Sequence, residues 1–143
     1  MTIRSVNPAT GEAIAEYPYD DIESLQRKLE GAWQAFGHWK KTSFDERMRL
    51  MQRVGRLLGD GVERYAELMT DEMGKPIVQA RAEVSKCAWA CEYFAGNAEA
   101  FLRPQDLPSD GSRAFVRYEP LGPIFAVMPW NFPLWQVIRF VAP

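Results

Sequence analysis

The stretch IFAVMPWNFPLWQVIR, Ile124 to Arg139, decides how this sequence folds. Ile124 to Met128 is an unbroken apolar run without alternation, the pattern of a strand covered on both faces in a parallel sheet. Pro129 and Pro133 then bracket Trp130, Asn131 and Phe132. Proline is tolerated at the first position of a helix, so residues from Pro133 onward read as helical. Strand, loop and helix make half of a βαβ unit, which sets the fold class as α/β. The loop admits two readings at this point: a turn between two core elements, or a ligand loop whose asparagine does chemistry. In the first reading Asn131 caps the helix that follows.

Upstream of this stretch the period changes. SRAFVRYE, residues 112–119, alternates, with Ala114, Val116 and Tyr118 on one side and Arg113, Phe115, Arg117 and Glu119 on the other. That predicts a strand with one face in water or against another chain. RPQDLPSDGS before it reads as a loop. The preceding residues carry helical spacing. Asp20 or Asp21 opens a helix to about Lys40, with Ile22, Leu25, Leu29, Ala32, Trp33 and Phe36 inward. Ser43 and Glu46 form a capping box for a second helix, striped by Phe44, Met48, Met51, Val54 and Leu58. Gly59-Asp60-Gly61 breaks it and Asp60 caps a third. Gly74 stops that one, and Pro76 starts a fourth reaching about Leu102. At the start, NPATGE (Asn7 to Glu12) between short mixed apolar segments predicts a β-hairpin or an extended arm.

With 143 residues the chain has room for one ordinary domain. Its 17 basic and 19 acidic side chains are interspersed and sum to −2, which argues against a nucleic-acid surface. The longest apolar run falls far short of a membrane span, and MTIRSVNPATGE lacks the layout of a secretory signal. Cys87 and Cys91 are the only cysteines. Without a secretion signal they imply reduced thiols in a cytoplasmic protein, packed as small apolar core residues. No set of residues has metal-ligand spacing. A lone covered strand leaves its backbone groups without partners, so the sheet is incomplete and the sequence reads as the N-terminal piece of a longer protein.

Three segments carry a resemblance. NPATGE, EMGKPIVQARAEV (Glu72 to Val84) and YEPLGPIFAVMPWNFP (Tyr118 to Pro133) occur in the order found in the aldehyde dehydrogenase superfamily. MPWNFPLWQV with GKPIVQARAEV most resembles its succinate-semialdehyde dehydrogenase branch. The resemblance implies a Rossmann-type coenzyme-binding domain. Residues 1–111 would supply its N-terminal arm and helical part, 112–119 an oligomerisation-arm strand, and 120–143 its first strand-loop-helix. It also implies oxidation of an aldehyde to an acid with NAD or NADP, in a homo-oligomer, dimer or tetramer. A cysteine thiolate attacks the carbonyl to give a thiohemiacetal, and a glutamate-activated water later hydrolyses the thioester. The family places that cysteine and glutamate downstream of Pro143, so the chain alone should be inert.

By the same resemblance Asn131 is the oxyanion donor, the fixed amide that receives charge on the former carbonyl oxygen. Met128, Pro129, Trp130 and Asn131 stand where a doubly wound sheet binds its ligand, at the carboxyl end of a strand, and are the expected coenzyme contacts. The usual G-x-G-x-x-G turn is absent. Phe132, Trp135 and Arg139 would line the substrate tunnel. A guanidinium there would pair with a carboxylate through two parallel hydrogen bonds and select succinate semialdehyde; otherwise Arg139 is a surface residue near a helix end. Two rivals share the fold: a non-catalytic truncated or assembly subunit, and an acyl-phosphate or acyl-thioester reductase.

Overall fold

A computed structural model describes residues 2–143. Strands β1 (Thr2–Val6) and β2 (Ala13–Pro18) form an antiparallel hairpin, with Ile3 opposite Tyr17 and Arg4 opposite Glu16. The turn is local chemistry. Asn7 Oδ1 accepts from the N–H of Ala9 at 2.9 Å and of Thr10 at 3.3 Å, and Gly11 takes φ 75°, which only glycine adopts cheaply. Ser5 Oγ donates to Glu72 at 2.9 Å, docking the hairpin on the third helix.

Helices α1 (Ile22–Trp39), α2 (Phe44–Asp60), α3 (Val62–Met73) and α4 (Ile77–Phe101) follow the predicted order. Asp21 caps α1 by accepting from Ser24 N–H at 2.7 Å, and Ser43 Oγ accepts from Glu46 N–H at 3.2 Å to cap α2. Gly74 ends α3 in the left-handed region at φ 69°. One boundary differs: α2 runs through Asp60, and Gly61 rather than Asp60 holds the N-cap position of α3, without a side-chain cap. The expected inner face of α1 also differs. Ile22, Leu25, Leu29 and Trp33 are exposed and α1 has no buried residue, because the buried core is built by residues of α2, α3 and α4, with the last helix packed against it.

That core gathers Leu58, Ala66, Met69, Ala80, Val84, Cys87 and Cys91. α2 packs tightly on α4 at Gly55, where an added Cβ would sit 3.2 Å from the Ala88 carbonyl oxygen and 3.3 Å from Cys91 Cβ. Gly55→Leu is therefore expected to lower thermal stability by about 1–3 kcal/mol, the usual cost of overpacking. A melting curve of the variant without loss would show that α2 has room to move away.

Past α4 the sequence reading needs two corrections. The segment read as a loop contains β3 (Gln105–Leu107), which pairs antiparallel with β4 (Ala114–Val116), Asp106 facing Phe115. The strand expected over 112–119 is thus short and has its partner within the chain. Ile124 to Met128 forms no strand: Ile124, Phe125 and Val127 are 68%, 88% and 80% exposed. A strand exists by exchanging hydrogen bonds with neighbours, and the four strands described here are already paired as two hairpins. Gly122, at φ 137°, carries this segment past the ring of Trp33. Helix α5 (Pro133–Val141) forms as read, with proline at its first turn. No helix among the described residues is long and apolar enough to cross a membrane.

Candidate functional site

The loop before α5 is held by two residues far away in sequence. Lys75 and Glu83 are 6% and 5% exposed, the only buried charged side chains among the described residues, and they form an ion pair. Glu83 Oε1 accepts from the N–H groups of Leu134 at 3.0 Å and Trp135 at 2.9 Å. These are orphan donors of the first turn of α5, normally met by an N-cap side chain. The N-cap position is Phe132 and offers none, while Pro133 has no N–H to satisfy. Asn131 is therefore not the cap, and the capping reading of it falls. A carboxylate does the work from α4, with the helix dipole favouring its charge. Lys75 Nζ also donates to the Asn131 carbonyl oxygen at 3.2 Å and sits 3.8 Å from the centre of the Phe132 ring.

Asn131 is exposed, and among the described residues no group bonds its side-chain amide. Its main chain is fixed and its donors are free, the arrangement a preorganised hydrogen-bond donor needs. Trp130 is 72% exposed, Pro129 exposed and Met128 half-buried. Successive residues of an α-helix turn by about 100°, which leaves Trp135 and Arg139 within roughly 40° on one side of α5, while Phe132 precedes the helix at its N-cap. Trp135 lies at the edge of that side: it is half-buried against the core and carries Lys86 Nζ at 3.8 Å over its ring. Arg139 is exposed, and among the described residues no carboxylate pairs with it.

Neither cysteine belongs to this site. Burial pushes the Cys87 thiol up to about 12, with the nearby Glu83 carboxylate adding to the rise, and burial raises Cys91 as well. The thiolate is the nucleophile, so both thiols are inert at neutral pH. Both are expected to resist a thiol-specific reagent at pH 8 and to react once guanidinium unfolds the chain; fast native labelling of Cys87 would contradict its burial. A raised folded-state value stabilises the fold fully below the thiol's ordinary 9.0, and that contribution is lost as the pH climbs from there toward 12. No group of three His, Cys, Asp or Glu residues gathers to hold a metal among the described residues. A cleft of about 480 Å³ opens at the other end of α5 between α2 and α4 and includes none of residues 128–132.

The Lys75–Glu83 pair escaped the sequence reading. One signal was present: Glu83 falls within the helical stripe of Ala80, Val84, Cys87 and Cys91, where an acid has no reason to be unless it is paired.

The aldehyde dehydrogenase family profile matches residues 1–143. The succinate semialdehyde dehydrogenase, NAD(P)+, of Escherichia coli strain K12 is 41% identical over 139 residues, 97% of this chain and 30% of that protein. Succinate-semialdehyde dehydrogenase 1, NADP(+), of Mycobacterium tuberculosis strain H37Rv is 43% identical over 146 aligned residues, 100% of this chain and 32% of that one. The chain thus spans about a third of the length of the curated relatives it matches. The crystal structure of succinic semialdehyde dehydrogenase from Streptococcus pyogenes, in complex with NADP+, superposes with a TM-score of 0.90. It is 33% identical, over 95% of this chain and 30% of that one. With nearly the whole length of this chain superposing on that enzyme and the profile matching end to end, the chain belongs to the aldehyde dehydrogenase family.

Proposed function

We propose that residues 1–143 form the N-terminal third of a cytoplasmic, NAD(P)+-dependent succinate-semialdehyde dehydrogenase, and that they supply one wall of its active site. The observation that carries this reading is the free amide of Asn131 on a loop whose backbone is pinned. A carbonyl oxygen gains negative charge when a nucleophile adds to its carbon, and an N–H donor already in place stabilises that charge without reorganisation. A neutral amide suits the task, since an amine would condense with the aldehyde. The attacking thiol and the base that activates water come from sequence beyond Pro143, because Cys87 and Cys91 are buried and protonated.

The Escherichia coli relative is an NAD(P)+ enzyme and the Streptococcus pyogenes structure a complex with NADP+, which supports a nicotinamide dinucleotide here. When bound, the dinucleotide accepts hydride from the substrate carbon. The residues present fit one part of such a ligand. Pro129, Trp130 and Asn131 are exposed and Met128 half-buried, so an indole and a side-chain amide stand open to it. The first-turn N–H groups of α5, the usual seat for a pyrophosphate, are already taken by Glu83. The phosphates must therefore be held by other residues.

Substrate choice rests on Arg139. It lies six residues beyond Pro133, roughly 9 Å along the axis, and helical side chains lean toward the N-terminus. A guanidinium leaning that way would reach back toward Asn131 and leave space for a short chain with an aldehyde at one end and a carboxylate at the other. Phe132 and Trp135 form the apolar side of that space. The test is steady-state assay of the complete polypeptide with succinate semialdehyde and with butyraldehyde. We expect a strong preference for the first, and Arg139→Leu should reduce that preference by about 10- to 100-fold, the worth of a hydrogen-bonded charge pair of about 1.5–3 kcal/mol. Equal turnover of both aldehydes by the unaltered protein sinks the carboxylate role. Residues 1–143 expressed alone should give no turnover; no turnover from the complete polypeptide favours an assembly subunit instead. The β3–β4 hairpin, with Leu107, Phe115 and Val116 exposed, is the proposed arm through which copies associate, checked by sedimentation of the complete protein.

A further inference from the structure

We infer that Lys75 and Glu83 are positioning residues for catalysis, a buried pair that sets where the Asn131 amide stands. The inference rests on the reading of Asn131 as the oxyanion donor. Burying two charges costs desolvation that a hydrophobic pair of the same volume avoids, so such a pair is poor evidence of stability and needs another account. The geometry provides one. Lys75 lies in the α3–α4 turn, where its own carbonyl oxygen accepts from Thr70 Oγ1 at 2.8 Å, so its backbone is fixed. Glu83 lies on α4, packed among the buried core residues Ala80, Val84 and Cys87. From these two anchors three bonds reach the loop: Nζ to the Asn131 carbonyl, and the Leu134 and Trp135 N–H groups to Oε1. The peptide after Asn131 is gripped from one side and the first turn of α5 from the other. What remains free in Asn131 is rotation of its side chain.

Each half of the pair has a distinct task. The carboxylate spends one oxygen on the helix and the other on Lys75, leaving neither idle. The ammonium divides its donors between Glu83 and the loop carbonyl, and Phe132 lies over it as a lid that keeps water out. A carbonyl held by a cation also polarises its peptide. Removing the charge on Glu83 while keeping its shape should leave the helix cap in place, since an amide oxygen still accepts both N–H groups. Lys75 then loses its counter-ion and its reason to stay, and the loop carbonyl loses its donor.

The experiment is a kinetic double-mutant cycle in the complete polypeptide, with Glu83→Gln, Asn131→Ala and both together, and kcat taken per folded subunit after gel filtration. Displacement of a catalytic group by about 1 Å can cost about 10²-fold in rate. Glu83→Gln alone is expected to lower kcat by about that factor, with little change in KM for the coenzyme. In the Asn131→Ala background it should lower kcat no further, because the amide it positions is gone. A merely structural role lowers folded yield or melting temperature equally in both backgrounds and leaves this non-additivity absent. Unchanged kcat in Glu83→Gln, or an equal loss in both backgrounds, overturns the positioning role and leaves Asn131 as donor intact. An Asn131→Ala enzyme with full kcat overturns the donor reading, and the positioning role with it. Should Glu83→Gln fail to fold, Lys75→Met/Glu83→Gln removes both buried charges and is read in the same cycle.

Discussion

Replacing Asn131 with alanine in the complete polypeptide is expected to lower kcat by about 10²–10³-fold, the loss seen when one oxyanion-hole donor is removed. Thermal stability should not move. The side chain is exposed and its amide bonds nothing among the described residues, while its backbone carbonyl, which Lys75 holds, survives the substitution. Surface changes with no such partner are close to neutral for stability. Steady-state rates and melting curves on the same preparation therefore separate two effects that usually travel together. Asn131→Asp sharpens the case. Aspartate keeps the size and the loop contact but is acceptor-only when ionised, and it puts a negative charge beside the oxygen that is becoming negative. It should be at least as impaired as alanine. An aspartate variant with the parent rate would mean the side chain at 131 does not face the reacting oxygen.

The elements that the sequence displayed openly are those whose cause is local. Asp21, Ser43 and Gly74 mark helix ends through bonds and torsions within a few residues, and each stands where its spacing predicts. Asp60 misleads because a glycine inside a helix costs only about 1 kcal/mol, so Gly59 does not stop α2. The segment Ile124 to Met128 shows the opposite limit. Its composition is that of a covered strand, but coverage and pairing are properties of neighbours, and among the described residues no strand pairs with it. The apolar side of α1 has the same character: helical spacing predicts a face to be buried, not what buries it. At the site, Asn131 was picked out by its motif. The device that holds it was not, because the bonds from Glu83 to Leu134 and Trp135 span 51 and 52 residues and leave no periodic trace.

Those bonds make Glu83→Leu the most damaging single substitution expected for the fold. It strands the buried Lys75 ammonium without its counter-ion, and breaking a buried pair by removing one partner costs about 3–5 kcal/mol. It also leaves Leu134 and Trp135 N–H without their acceptor, a lost helix cap worth about 1 kcal/mol. The two contributions separate on changing the partner. Lys75→Met/Glu83→Leu removes both buried charges, and an apolar pair of similar volume is often neutral or better. The double variant should therefore regain most of the stability lost by Glu83→Leu and remain below the parent by little more than the cap. Thermal unfolding of the parent, both singles and the double gives the cycle. If Glu83→Leu alone were as stable as the parent, the Lys75 ammonium would have to reach water, which requires the loop at Asn131 to open and releases the carbonyl that the ammonium holds.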